Sequence, residues 1–137
     1  MSKAVKVGIL GLGVGISGAR MVSKTKGAEL VCVCDLQKEK AMQIGEELNC
    51  NWYTDYEKML AREDIDAIGI FTSSGSHADY AMKAVETGKH VFTTKPMDIS
   101  VKKCDELIDA AKKANLILAV DFGNRYLDNT RKIKLAI

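Results

Sequence analysis

Proline is almost missing from this chain: Pro96 is the only one in 137 residues, and aromatic side chains make up 6%. That composition excludes a polyproline or collagen-like chain, and a hydrophobic share of 47% excludes a disordered polar one. No apolar run approaches the roughly 20 residues that a membrane-spanning helix needs. The opening "MSKAVKVGIL" lacks the long apolar core and small-residue cleavage site of a secretory signal, because polar residues interrupt it at once. Neither sign of charge dominates. Twenty basic against 18 acidic side chains leave a net +2, with no basic face for nucleic acid or an anionic membrane. Metal-ligand patterns are also lacking, since the two histidines and Cys32, Cys34, Cys50 and Cys104 show no CxxC or Cys/His spacing. The cysteines read as buried reduced thiols and the chain as a cytoplasmic protein without a metal.

What the chain does have is a rhythm. Apolar, β-rich runs recur at "VKVGIL" (5–10), "ELVCVC" (29–34), "DAIGIF" (66–71), "HVFT" (90–93) and "LILAV" (116–120). They are near-continuously apolar, as parallel strands covered on both faces tend to be. Helical signals lie between them. Thr54 with Glu57, and Ser76 with Asp79, fit the capping-box spacing. His77, Tyr80, Ala81, Ala84 and Val85 then share one face, and Gly88 closes that helix. Val101, Cys104, Leu107, Ile108 and Ala111 form a second apolar stripe. The alternation predicts an α/β domain over 1–137, a doubly wound parallel sheet in three layers with no internal linker or repeat. Its last helix is expected over about 127–137. Ligands in such sheets bind at the carboxyl ends of the strands. That rule singles out residues 11–18, Asp35, 72–77, 94–97 and 121–126.

Residues 11–18 read "GLGVGISG". A glycine turn between a first strand and a first helix lets backbone approach a pyrophosphate, which the helix N-terminus then attracts. Two registers compete. Gly13, Gly15 and Gly18 match GxGxxG literally, but that match begins two residues beyond the strand. In the preferred frame Gly11 makes the tight turn, Gly13 follows, Val14 intervenes, and Gly15 serves as third glycine because Ile16 fills its nominal place. Asp35 stands 24 residues after Gly11, at the end of "VCVCD". A carboxylate there accepts from ribose hydroxyls and repels a 2′-phosphate, favouring NAD over NADP, although Lys38 is near. The competing readings are a purely structural turn with Asp35 as a helix cap, and a methyltransferase loop. The second is disfavoured by Ile9, which stands where that fold usually has an acid.

Four further segments follow in order: "GAELVCVCDLQKEKA", "YTDYEKMLAREDIDAIGIFTSSGSHADYAMKAVETGKHVFTTKPM", "VKKCDELIDAAKKANLILAV" and "DFGNRYLDNTRK". With the glycine loop they resemble, over essentially the whole chain, the N-terminal Rossmann domain of the glucose–fructose oxidoreductase / inositol dehydrogenase family. The resemblance implies an NAD(P)-dependent oxidoreductase of sugars, cyclitols and related polyols. It sets Thr72, Ser73 and Ser74 against the cofactor and groups His77 with them, a residue that as a helix first-turn packing group needs no direct role. The family's Glu-Lys-Pro stands here as Thr94-Lys95-Pro96. Lys95 is implied as the catalytic ammonium beside the nicotinamide, with Thr94 and Pro96 at the cofactor, and Thr94 replaces the family's carboxylate. Asn124 and Arg125 are implied at the nicotinamide end, in a segment where Asp121 and Gly123 depart from the usual residues.

In that family a second α/β domain holds the substrate and supplies an aspartate and a histidine for proton transfer, which this sequence does not offer. The resemblance therefore implies a cofactor site and half a catalytic site. A polyol substrate, on this reading, binds only together with that further domain. A truncated domain, a stand-alone dinucleotide-binding or sensing module, and a subunit completed in trans all remain open. Self-association into a homo-oligomer is a further expectation.

Overall fold

A computed structural model of the chain describes residues 3–136. Six strands run in it: β1 (Val5–Leu10), β2 (Ala28–Cys34), β3 (Asn51–Tyr53), β4 (Ala67–Ile70), β5 (His90–Thr94) and β6 (Leu118–Asp121). Six α-helices accompany them: α1 (Gly15–Lys24), α2 (Lys38–Glu47), α3 (Tyr56–Leu60), α4 (His77–Glu86), α5 (Val101–Lys113) and α6 (Asp128–Leu135). The strands form one sheet in the order β3-β2-β1-β4-β5-β6, and every pairing is parallel. Strand order reverses between β1 and β4, so the crevice where such sheets take ligands opens above Leu10 and Ile70. All five apolar runs are strands, with ends displaced by at most two residues. The edge strand β3 was not foreseen, because three residues carry no readable periodicity.

Both faces of the sheet are covered, which explains the unbroken apolar character of the strands. Val7, Ile9, Leu30 and Val33 pack with Ala19 of α1 and Ala41 and Ile44 of α2. Cys32, Cys34, Ile68, Ile70 and Val91 face the other way, against α3, α4 and α5. Pairing of Val7 with Leu30 and then of Gly8 with Cys32 leaves Val31 as an extra residue, a β-bulge. The bulge puts Leu30 in the first core and its neighbours Val31 and Cys32 in the second.

Three local expectations are corrected. The helix α3 is capped by Asp55, whose Oδ1 accepts from Glu57 N–H at 3.0 Å, and not by Thr54. Asp55 is the extended residue next to the helix, which places its short carboxylate on the free N–H groups. Ser76 does not cap α4, because its hydroxyl turns back into the preceding loop, 2.8 Å from Ser73 O and 3.0 Å from Thr72 Oγ1. Val101 is 78% exposed and not part of a buried stripe, since it opens α5 beside the equally bare Ile99. Gly88 closes α4 at φ 76°, and α6 spans most of the anticipated last helix, Ile137 lying outside the described residues. Among the described residues no helix is long and apolar enough to cross a membrane.

The four cysteines are free thiols. Burial pushes those of Cys32 and Cys34 up to about 12, neighbouring acids adding to the effect at Cys34. Thiols raised in the folded state favour folding while protonated, and that contribution disappears as pH climbs from the ordinary thiol range toward 12. We expect a urea midpoint that is flat through neutrality and falls above about pH 9. Native protein at pH 8 should react with a thiol reagent at half-buried Cys104 and leave Cys32 and Cys34 untouched. Mass-spectrometric mapping of the adducts checks this, and rapid labelling of Cys32 or Cys34 in folded protein would contradict it.

Candidate functional site

The chain leaves β1 at Gly11 with φ 87°. A Cβ there would lie 2.7 Å from Phe71 O, so both the dihedral and the approach of β4 require glycine. Gly13 differs: a Cβ on it would meet no protein atom within 4 Å. The space over its backbone is open to something other than the protein. Gly15 and Gly18, by contrast, bring α1 onto the Phe71 side chain, their imagined Cβ atoms 2.9 Å from its Cβ and 2.7 Å from its ring. The turn thus falls on Gly11, and the helix begins at Gly15. Val14 precedes it, 72% exposed, and Ile16 is half-buried. No side chain caps α1 and no acid stands in its first turn. Its partial positive end is left for an anion.

Asp35 follows β2. Its Oδ2 accepts from Leu12 N–H at 2.7 Å and its Oδ1 from Gln37 N–H at 2.8 Å. The carboxylate therefore ties the glycine turn to the start of α2, a bracing role the sequence did not reveal. A carboxylate has about four acceptor positions, so capacity for ribose hydroxyls remains. Gly11, Gly13, Asp35, Thr72 and Ser73 all line one cleft of about 340 Å³. Leu36, Tyr56 and Tyr80 also line it and were missed as site residues by sequence reasoning. Leu36, 87% exposed directly after Asp35, was the available signal. Tyr56 and Tyr80 meet edge to face at 5.3 Å, and the Tyr56 hydroxyl donates to Tyr80 O at 3.0 Å. Burial holds that phenol protonated.

Past β4, Thr72 is half-buried and Ser73 and Ser74 are exposed. His77 is placed differently from its expected neighbours, being 1% exposed beneath the loop. Its Nδ1 lies 2.7 Å from Pro96 O and its Nε2 2.8 Å from Thr72 O. Both acceptors are carbonyls, so only the doubly protonated ring donates to both, and the neutral ring to one. Asp98 supplies the α4 cap that Ser76 does not, accepting from Ala78 N–H at 3.0 Å and from Ser100 N–H at 3.0 Å. Burial alone would raise its pKa, but the N–H groups of Ala78, Ser100 and Ile99 and nearby Lys103 together hold it below the ordinary carboxylate value.

At the end of β5, Thr94 is half-buried while Lys95 and Pro96 are exposed and joined by a cis peptide bond. Thr94 pairs in register with Asp121 of β6, so a carboxylate stands at the matching position of the neighbouring strand. Among the described residues Lys95 forms no ion pair. Asn124 and Arg125 sit in an exposed 3-10 turn, with the Arg125 guanidinium 5.7 Å from the Phe122 ring centroid. These last residues share the carboxyl edge of the sheet but do not line the 340 Å³ cleft. A wider cleft of about 550 Å³ is bounded by Glu29, Gly45, Trp52, Arg62 and Asp64. It opens at the amino-terminal ends of β2 and β3, the wrong edge for a ligand of this sheet.

The model of an oxidoreductase family with an NAD-binding Rossmann fold matches residues 5–122. This chain belongs to that family. It is 35% identical to scyllo-inositol 2-dehydrogenase (NAD(+)) of Bacillus subtilis (strain 168), over 97% of this chain and 41% of the relative. It is 31% identical to 2,7-anhydro-N-acetylneuraminate hydratase of Mediterraneibacter gnavus, over 96% of this chain and 35% of that one. The crystal structure of scyllo-inositol dehydrogenase from Lactobacillus casei, with bound NAD(H) and scyllo-inositol, superimposes with a TM-score of 0.91 at 28% identity. That match covers 97% of this chain and 40% of the other. The chain thus spans about two fifths of the length of such family members.

Two alanine substitutions separate turn from site. Gly11→Ala should destabilise the fold by about 2 kcal/mol or more, because it adds a left-handed strain to a backbone clash. Gly13→Ala should leave the unfolding midpoint within error yet weaken NAD binding, since its methyl group enters only the open space. Denaturation curves and a binding titration on the two variants check the pair. A large stability loss in Gly13→Ala would contradict the assignment.

Proposed function

We propose that this chain is the dinucleotide-binding part of an NAD-dependent oxidoreductase that moves hydride between the nicotinamide and a hydroxyl-bearing carbon of a cyclitol or related polyol. The observation that carries the reading is the open space over Gly13 at the uncapped head of α1, with Asp35 at the end of the next strand. The space suits a pyrophosphate, which the N–H groups of Gly13, Val14 and Gly15 can take, with Ile16 packed below. Asp35 accepts from the adenosine ribose and disfavours a 2′-phosphate by like charge. The cleft beside Leu36 and Tyr56 is the right size and character for the adenine. Thr72, Ser73 and Ser74 carry the surface on toward the nicotinamide end, where Thr94, Pro96, Asn124 and Arg125 border the site.

NAD, when bound, supplies the hydride acceptor. The chain's own contribution to chemistry is Lys95. An ammonium at the end of β5 can hydrogen-bond the substrate hydroxyl and stabilise the charge that develops as its proton departs. The relatives' names support the polyol class, since the dehydrogenases named above act on inositols. The part of the relatives that this chain does not match is where the residues that hold the substrate are expected. Without them we expect binding and not turnover, because hydride transfer needs a substrate held in near-attack geometry.

Calorimetric titration with NAD and NADP, on the wild type and on Asp35→Ala and Asp35→Asn, tests the reading. NAD should bind more tightly than NADP, and both substitutions should erase the preference. Asp35→Ala should in addition lose about 1–3 kcal/mol of stability, because Leu12 and Gln37 N–H lose their acceptor. Asp35→Asn should keep part of that stability, because its one carbonyl oxygen can still accept from Leu12 or Gln37 N–H. Failure of a folded chain to bind either nucleotide would contradict the proposal.

A further inference from the structure

Lys95 is exposed and has no ion-pair partner among the described residues, so its direction depends on the backbone that carries it. That backbone is anchored immediately downstream, from a different element. His77 and Ala78 open α4, and between them they fasten the loop that joins β5 to α5. Pro96 O lies against His77 Nδ1 at 2.7 Å, and Asp98 Oδ2 accepts from Ala78 N–H at 3.0 Å. The same ring reaches the loop after β4 through Thr72 O at 2.8 Å. His77 is 1% exposed and Asp98 9%, so water competes little at the side-chain ends of these bonds. Asp98 also accepts from Ser100 N–H at 3.0 Å, which closes the loop on itself before α5 begins.

From this arrangement we propose that His77 and Asp98 are positioning residues that form a buried clasp between the loops after β4 and β5. The clasp fixes the backbone of Lys95 relative to Thr72, and hence the ammonium relative to the nicotinamide end of the cleft. Neither side chain touches the cofactor or a substrate. Packing needs alone do not account for the geometry. An apolar residue at position 77 would fill the space but would hold neither carbonyl, and the hydrogen-bonded tie that His77 makes between the two loops would be lost. The functional part of this inference rests on the role of Lys95 proposed above, whereas the clasp itself can be tested without cofactor.

The test is amide ¹⁵N relaxation of the whole chain, with and without NAD, on the wild type, His77→Leu, His77→Gln, Asp98→Ala and Asp98→Asn. Ile44→Ala, a buried change in α2 on the opposite face of the sheet, is the control for general loss of stability. In the wild type the Lys95 and Met97 amides should show order parameters near the rigid value of about 0.85. In His77→Leu and Asp98→Ala they should drop below about 0.6, the flexible range, while the amides of β1 and β4 stay rigid. His77→Gln and Asp98→Asn, which keep one polar partner, should recover part of the order. Ile44→Ala should leave Lys95 rigid despite an equal or greater loss of melting temperature. A second arm compares NAD with ADP-ribose, which lacks the nicotinamide. The clasp variants should keep their ADP-ribose affinity and lose whatever NAD gains over it. Unchanged order at Lys95 in His77→Leu and Asp98→Ala, or equal loosening in Ile44→Ala, overturns the clasp. If the wild type binds neither nucleotide while the relaxation results hold, the clasp stands and the functional proposal fails.

Discussion

The close approach of Gly11 to the carbonyl of Phe71 is the constraint on which the carboxyl edge of this sheet depends. A left-handed dihedral at that one position turns the chain out of β1 without a detour, and the missing Cβ lets it pass the end of β4. Because the turn is so short, α1 starts directly over the sheet, with Gly15 and Gly18 seated on the Phe71 ring. The helix axis, its uncapped end and the open backbone at Gly13 all follow from that placement. Asp35 then secures the turn from the other side by accepting from Leu12 N–H. One phenylalanine, four glycines and one carboxylate thus shape the proposed anion site.

The edge is divided into two halves of different construction. Around Gly11, Gly13, Asp35 and Thr72 the groups line a half-open cleft, which the Tyr56–Tyr80 pair also lines. Around Lys95, Asn124 and Arg125 the surface is exposed. Beneath Lys95 a buried imidazole and a buried carboxylate engage the backbone at Thr72, Pro96, Ala78 and Ser100. Such buried polar contacts are strong because the surroundings exclude water, and they hold only when every partner is met. The half proposed for adenosine is shaped by apolar contact and glycine, the half proposed for the nicotinamide by hydrogen bonds to the main chain.

Much of this was legible in the sequence, and the exceptions have physical reasons. The strands were readable because two covered faces leave nearly continuous apolar runs, and the turn was readable because glycine has no substitute at positive φ. Asp35 was located, but its brace on Leu12 was not, since a hydrogen bond between residues 23 apart leaves no trace in local spacing. The capping residues were misread at Thr54 and Ser76 for a related reason. At Asp55 a neighbouring carboxylate was better placed, and at α4 the cap arrives from Asp98, twenty residues away. His77 showed its helical face but not the carbonyls it meets. Strand β3 was too short to announce itself.

The central claim is that the head of α1 over Gly13 is a working pyrophosphate site. It is tested most directly by following the amide spectrum of the chain during a titration with NAD. The account predicts saturable shifts concentrated at Gly13, Val14 and Gly15, accompanied by Leu36 and Thr72 on either side of the cleft. Shifts confined to the opposite edge, around Trp52 and Arg62, or a spectrum that does not move at saturating NAD, would contradict it.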